Sequence, residues 1–239
     1  MSIVEDIATL SLDHIESAEM LTQRWIFQAM LDFGMEAYRI FLSSPDDVKD
    51  VAEDITREAL DRLPGFNVSQ RIYGTVDYKK AKYIVFPDSI VRQALFVDSK
   101  AEKSSNSATI QMSQTSLRVM QVRSGSEMNE LGLLPSISRY EDRQYLTTTI
   151  FIHFEYADQG NLHVLKNLTI ACLPNGLLQE RYSPNAQDNI WLAGRNAPTL
   201  GEVFRARFSF GKLRSKEPWR VQTVLYDPLA NMCSGIWSS

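Results

Sequence analysis

Apolar residues recur at helical spacing near the start of the chain. From Ser11 to Leu42 they fall three or four positions apart and form one stripe. This pattern predicts a long helix that has one buried face and is capped by Ser11. Pro45 begins a second predicted helix, which runs to about Leu63, because proline is favoured at the first helical position. Residues 11–63 are therefore predicted to form a helical N-terminal part.

After Gly65 the pattern changes to short runs of the kind that form strands. The run at 93–99 is apolar on both faces, which predicts a central strand of its sheet. Polar residues 101–109 predict a loop, and four residues after it are spaced as in a further helix: Ile110, Gln114, Leu117 and Met120. The predicted strands are 71–77, 81–87, 93–99, 145–156, 162–173, 203–210 and 219–226.

This order of elements predicts one α/β (α+β) domain over residues 1–239, in which helices flank a mixed central sheet at 69–173 and a β region is added at about 195–226. A hydrophobic content of 44% indicates a globular protein, and no apolar run is long enough to cross a membrane. The N-terminus lacks the pattern of a signal peptide, and Cys172 and Cys233 are isolated in sequence. We therefore expect a cytoplasmic protein.

The charges are distributed unevenly along the chain. The formal net charge is −4, but residues 1–63 contain 14 acidic and 5 basic side chains, so the remainder is net positive. Residues 203–220 contain six Lys or Arg and a single acid, Glu217. A basic face opposite an acidic one is compatible with DNA binding, although a solvated surface of mixed charge gives the same composition.

Two strand-like runs end on an aspartate. Asp77 ends the run at 71–77. Asp98 ends a second, apolar run and is followed by Ser99 and Lys100. Alternation along a strand places Asp98 and Lys100 on one face. Two carboxylates suit Mg²⁺, which takes oxygen ligands, and the lysine would position or deprotonate the attacking water. These residues predict a metal-dependent phosphodiesterase site.

An acid-x-Lys triplet is by itself weak evidence, because this chain contains three of them. Asp77 and Asp98 would also be compatible with simple turn positions after strands. Glu53, on the second predicted helix, is a candidate third acid, but it lies off the apolar stripe and equally fits a solvated helix surface.

The run VFRARFSF alternates apolar and polar residues, so Arg205 and Arg207 project from one face about 6.6 Å apart. Two base-pair steps of DNA span about 6.8 Å, so the pair matches the spacing of guanine edges in the major groove. The alternative is a surface strand with solvated arginines.

Seven segments in order resemble the SfiI family of type II restriction endonucleases, from about Leu10 to Tyr226: LSLDHIES, VAEDITREAL, GTVDYKK, LFVDSKAE, TTTIFIHFEY, QERYSP and GEVFRARF. The resemblance implies the PD-(D/E)xK nuclease fold, in the branch that includes the BglI enzyme. Val76 stands where the motif name has Pro, and the segment 103–108 also departs from the family, which leaves the bases recognised open.

The resemblance assigns Asp77 and Asp98 as the active-site acids, Lys100 as the motif lysine and Glu53 as a helix glutamate near the site. It also implies that Arg205 and Arg207 belong to a base-reading strand. We further expect the backbone carbonyl of Ser99 to ligate the metal. Three more basic residues are expected to contact DNA: Arg195, Lys103 and Lys212.

The family implies cleavage of both strands of an interrupted G·C-rich palindrome with Mg²⁺, or Mn²⁺ as a substitute, leaving short 3′ overhangs. It implies a homodimer or homotetramer, and a cognate DNA methyltransferase in the same restriction-modification system. Two alternatives remain from the sequence: a PD-(D/E)xK repair or structure-selective nuclease, whose arginines would contact only backbone, and a catalytically silent DNA-binding protein.

Overall fold

A mixed sheet of seven strands lies at the centre of the computed structural model of this chain. The structure describes residues 6–44, 48–62, 82–85, 91–103, 106–123, 125–140, 142–193, 205–227 and 229–239. Its helices are α1 (Leu12–Asp32), α2 (Gly34–Ser43), α3 (Val48–Asp61), α4 (Gln179–Tyr182) and α5 (Phe210–Lys216). Single 3-10 turns occur at Ile7–Thr9, Met112–Gln114, Gly176–Leu178 and Pro218–Arg220.

Twelve strands are present in the described residues: β1 (Lys82–Val85), β2 (Gln93–Glu102), β3 (Ser107–Gln111), β4 (Val119–Arg123), β5 (Ser126–Glu130), β6 (Ile137–Tyr140), β7 (Arg143–Gln159), β8 (Leu162–Leu173), β9 (Trp191–Leu192), β10 (Arg205–Ser209), β11 (Val221–Asp227) and β12 (Met232–Ser234). The main sheet has the order β1-β2-β7-β8-β11-β12, with β6 also paired to β7. A smaller sheet has the order β3-β10-β9, and β4 and β5 form a hairpin.

β2 occupies an interior position in the main sheet. It pairs antiparallel with β1 and parallel with β7 over its whole length, whereas the other pairs of this sheet are antiparallel. The mixed sheet and the interior position of β2 confirm the predictions from sequence. Parallel pairing requires a crossover, and the segment between these two strands contains β3 to β6.

The two faces of the main sheet are covered differently. Helices α1 to α3 cover one face, where Phe41 and Ile55 join the same core as Val97 of β2 and Ile150 of β7. The small sheet and α5 cover the other face, where Phe208 packs edge-on against Phe151. Because strand side chains alternate, β2 presents Leu95 and Val97 to the helices and its acid and lysine to the small sheet.

The buried amide of Gln93 fixes the start of β2. Its Oε1 accepts hydrogen bonds from Thr22 (2.9 Å) and Thr148 (2.7 Å), and its Nε2 donates to the carbonyl oxygen of Ala18 at 3.2 Å. A buried amide with satisfied partners is stable, whereas one without them would cost several kcal/mol. Gln93 thereby joins α1, β2 and β7 at one point.

The predicted helices are largely confirmed. Ser11 caps α1, where its hydroxyl accepts from the backbone N–H of His14. The long predicted helix is divided at Phe33, before Gly34, where an added Cβ would lie 2.5 Å from Sγ of Cys233. Pro45 lies outside the described residues, as does the predicted strand 71–77.

The helix predicted around Ile110 is wrong. That segment forms β3, a 3-10 turn and β4, and Ile110 is fully buried in the pairing of β3 with β10. A partner strand far along the chain therefore overrode the local helical spacing. The loop predicted at 101–109 is also wrong at both ends, because β2 continues to Glu102 and β3 begins at Ser107.

The basic segment between the predicted strands 203–210 and 219–226 forms a helix, α5. The hydroxyl of Ser209 accepts a hydrogen bond from the backbone N–H of Lys212 and caps this helix. In the part of the chain that the structure describes, no helix has the length and apolarity that a membrane crossing requires.

Candidate active site

β2 carries an acid and a lysine side by side. Asp98 and Lys100 project from the same face, and Nζ of Lys100 lies 3.6 Å from Oδ2 of Asp98. The two side chains are 20% and 26% exposed, so both are only partly open to solvent. Ser99 projects to the opposite face, where its hydroxyl donates to Oγ1 of Thr56 on α3 at 2.7 Å. The strand thus separates the acid and lysine from the helical layer.

Lys100 is held from a second direction. Its Nζ donates to the carbonyl oxygen of Thr109 on β3, and it lies 5.9 Å from the ring centroid of Phe151. A lysine side chain has many rotamers, so fixing its ammonium group requires more than one contact. The contacts with Asp98 and Thr109 provide two, one from each sheet.

Asp98 borders a small cleft lined by Phe96, Val97, Gln114 and Thr149. Its Oδ2 atom is inaccessible to solvent. Oxygen ligands are those that Mg²⁺ prefers, so the carboxylate and nearby backbone carbonyls of β2 fit a hard cation by their chemistry. Among the described residues no three His, Cys, Asp or Glu side chains cluster as a complete metal site, and Asp77 lies outside them.

Glu102 lies on the same face of β2 and was missed from sequence. Its Oε2 is 3.4 Å from Nε2 of His153, which is 1% exposed and pairs with Lys100 across β2 and β7. A hydrogen bond from His153 lowers the pKa of Glu102, and the positive charges of Lys100 and Arg207 lower it further. Alternation from Asp98 would have predicted this position, but the loop assigned to residues 101–109 concealed it.

β10 presents its arginines away from the main sheet. Ala206 and Phe208 are buried, whereas Arg207 is exposed and Arg205 is half-buried, which agrees with the predicted alternation. Arg207 lies opposite Thr109 in the pairing of β10 with β3, and its Nη2 donates to Oγ of Ser107 at 3.1 Å. The same strand β3 therefore contacts Lys100 through a carbonyl and Arg207 through a side chain.

The other predicted residues are dispersed. Glu53 is half-buried on α3, one turn before Thr56, and so belongs to the helix that packs on the Ser99 face of β2. Nζ of Lys103 lies 2.5 Å from Oδ2 of Asp158, and Nζ of Lys212 donates to the carbonyl oxygen of Trp191 at 2.8 Å. Arg195 lies outside the described residues.

Comparison with known proteins identifies the family of this chain. The family model described as "Type II restriction enzyme SfiI" matches residues 22–224. The chain is 33% identical to the type II restriction enzyme SfiI of Streptomyces fimbriatus over 237 residues, which covers 93% of this chain and 88% of that protein.

Two solved structures have the same fold. Tetrameric SfiI bound to cognate DNA superposes with a TM-score of 0.83 at 28% identity, covering 99% of this chain and 98% of that one. BglI bound to its recognition sequence superposes with a TM-score of 0.73 at 15% identity, covering 88% and 90%. The second likeness concerns the fold alone. The extent of the family match and of the sequence identity establishes that this chain belongs to the SfiI family of type II restriction endonucleases.

Proposed function

We propose that this chain hydrolyses both strands of double-stranded DNA at an interrupted G·C-rich palindrome, with Mg²⁺ as the cofactor, and leaves 3′ overhangs. The observation that carries the proposal is the ion pair of Asp98 with Lys100, which is linked through the Thr109 carbonyl of β3 to β10, the strand that bears Arg205 and Arg207. The site is that of a PD-(D/E)xK nuclease, and residues 1–239 act as one nuclease domain.

Asp98, Asp77 and the backbone carbonyl of Ser99 would hold the metal, and Mn²⁺ would substitute for Mg²⁺. When bound, the ion supplies stabilisation of the charge on the phosphate and lowers the pKa of a bound water. Glu53 on α3 is proposed as a further acid near the site.

Lys100 performs the second task of the site. Its ammonium group, held by the carbonyl of Thr109 and by Asp98, is oriented before DNA arrives. In that position it can hold the attacking water in line with the phosphorus or donate a hydrogen bond to a phosphate oxygen. Holding the lysine by two strands lowers the entropic cost of positioning it.

Recognition is assigned to Arg205 and Arg207 at base edges, and Arg195, Lys103 and Lys212 are proposed to contact the phosphate backbone. A palindrome presents its two halves related by a twofold axis, so two copies of the chain are needed to read and cut it. A homodimer or homotetramer is therefore proposed, in line with the tetramer of the solved relative. A cytoplasmic location and a partner methyltransferase that protects the host DNA complete the proposal.

Purified protein is expected to cut plasmid or phage DNA into discrete bands in Mg²⁺, because sequence-specific recognition limits the number of cut positions. Sequencing the ends gives the recognised bases and the overhang, and chelation of the metal should stop cutting. A smear of products, or intact DNA in both Mg²⁺ and Mn²⁺, would contradict site-specific hydrolysis.

Replacement of Arg207 by alanine is expected to weaken binding to the cognate site by about 10- to 100-fold, because a bidentate arginine contact to guanine contributes about 1–3 kcal/mol of discrimination. Binding to random DNA should change far less. Arg214→Ala is the matched control, since Arg214 is an exposed arginine on α5 that contacts Thr223. Equal losses on cognate and random DNA would reduce Arg207 to a phosphate contact.

A further inference from the structure

Glu102 is the third charged side chain on the face of β2 that carries Asp98 and Lys100. His153 fixes one of its oxygens at 3.4 Å, and His153 is itself almost fully buried and packs edge-on against Phe210. The carboxylate is 39% exposed, so it is accessible but tethered. It therefore has a defined position next to the site, and it has no role in the chemistry described above.

The surroundings of Glu102 connect two functional groups. β2 ends at Glu102, and the chain then enters β3, whose Thr109 carbonyl accepts from Lys100. Ser107 on β3 accepts from Arg207. Lys100 and Arg207 are thus both held on β3, and Glu102 is the last residue of β2, five positions before β3 begins at Ser107.

The charges of Lys100 and Arg207 also act on Glu102. After the hydrogen bond from His153, the positive charges of Lys100 and Arg207 both contribute to the lowered pKa of Glu102. The carboxylate is therefore ionised at neutral pH and attracts an ammonium and a guanidinium group from two different strands. A carboxylate that interacts electrostatically with two cations makes the energy of each cation's position depend on the other, and such coupling is reciprocal.

We propose that Glu102, oriented by His153, is a positioning residue that couples Arg207 of the base-reading strand to Lys100 of the active site. This inference rests on the proposed function, since it assumes that Lys100 serves cleavage and Arg207 serves recognition. When Arg207 engages a cognate base, its altered position changes the field at Glu102 and thereby the orientation of Lys100. Glu102 so contributes to making cleavage depend on the correct sequence.

The first test compares Glu102→Gln with Glu155→Gln. Glu155 is the β7 residue that pairs with Glu102 across the sheet, but its Oε2 accepts from Nδ2 of Asn167 at 2.8 Å. Glu102→Gln is expected to lower the single-turnover cleavage rate on cognate DNA about 10-fold, the effect of one charge-assisted contact. Glu155→Gln should retain the rate, and both should retain the melting temperature.

Glu102→Asp separates positioning from folding. It keeps the charge, so partial recovery of the rate over Glu102→Gln supports the proposal. The proposal would be overturned if the cleavage rate fell in parallel with the melting temperature in Glu102→Gln, Glu102→Asp and Glu155→Gln. It would also be overturned if Glu155→Gln lost as much cleavage rate as Glu102→Gln.

The second test measures coupling directly through a double-mutant cycle of Glu102→Gln with Arg207→Ala. If Glu102 acts through Arg207, its replacement should change the cleavage rate on cognate DNA much less when Arg207 is already absent. Independent, multiplicative effects of the two substitutions would overturn the inference.

The failure of this inference can be distinguished from failure of the proposed function. If the unaltered protein cuts no DNA, the proposed function fails. The coupling of Glu102 to Arg207 is then tested by measuring binding in Ca²⁺ to duplexes that the protein selects from a random pool. In that case a drop in the ratio of selected to random affinity of about 10-fold in Glu102→Gln, absent in Glu155→Gln, supports coupling to Arg207. An unchanged ratio contradicts it.

Discussion

Replacing Lys100 by methionine is expected to lower the rate of DNA cleavage by about 10²- to 10³-fold, the range that one preorganised hydrogen-bond donor contributes. Methionine preserves most of the apolar stem and removes the ammonium group, which lies 5.9 Å from the ring centroid of Phe151, so the loss would report that group and not the packing of the stem. Asp98→Asn is expected to cause a loss at least as large, because it removes the charge that is proposed to hold the metal and that lies 3.6 Å from the ammonium group of Lys100. The measurement is single-turnover cleavage of cognate DNA at saturating protein.

Binding separates this effect from a general loss of affinity. Cognate DNA should bind both variants in Ca²⁺ to within about an order of magnitude of the unaltered protein, because recognition is assigned to β10 and not to β2. Lys166→Met is the matched control, since Lys166 is an exposed lysine on β8. If Lys100→Met cleaved DNA at the rate of the unaltered protein, or if Lys166→Met lost as much cleavage rate as Lys100→Met, Lys100 would have no special role in cleavage.

The elements around Lys100 could be predicted because their signal is local. An apolar run that stops at Asp98 marks a central strand, and strand alternation then places Lys100 beside the acid. The observed distance of 3.6 Å between the two side chains agrees with that reasoning. The same logic applied to the arginines of β10, whose burial alternates as the sequence pattern requires.

The contact of Lys100 with Thr109 could not be predicted, because it depends on pairing at a distance. β3 exists as a strand because β10, about a hundred residues later, pairs with it. Read alone, the segment around Ile110 has helical spacing, and the sequence contains no local sign of its partner. Glu102 was concealed by the same error, since a loop at 101–109 removes the alternation that would have placed it.

The buried ion pair of Glu19 with Arg220 could not be predicted from the sequence for a related reason. Glu19 on α1 and Arg220 before β11 are 201 positions apart, yet Oε2 of Glu19 accepts from Nη2 of Arg220 at 2.8 Å and neither side chain is exposed. In sequence Glu19 reads as an acid in the early part of a helix, and Arg220 as one of several basic residues. Only the packing of α1 against the sheet brings the two charges together.

Replacement of Glu19 by glutamine is expected to lower the free energy of unfolding by about 3–5 kcal/mol, because it leaves the buried charge of Arg220 without its counter-ion. The central carbon of the guanidinium group lies 4.2 Å from the ring centroids of both Tyr182 and Trp219, and the Arg220 side chain has no exposure to solvent. Glu16, whose Oε1 lies 3.5 Å from Nη2 of Arg220, can compensate the charge of Arg220 only in part. Urea unfolding measures the change.

Asp13→Asn provides the control on the same helix. Asp13 is exposed and pairs with Arg181 at 2.6 Å, and a solvated pair of this kind contributes about 1 kcal/mol or less. Adding Arg220→Met to Glu19→Gln should restore part of the lost stability, since it removes the orphaned charge as well. A cost below about 1 kcal/mol for Glu19→Gln, comparable to that of Asp13→Asn, would show that Arg220 is neutralised by other groups and that the buried pair does not join α1 to the sheet.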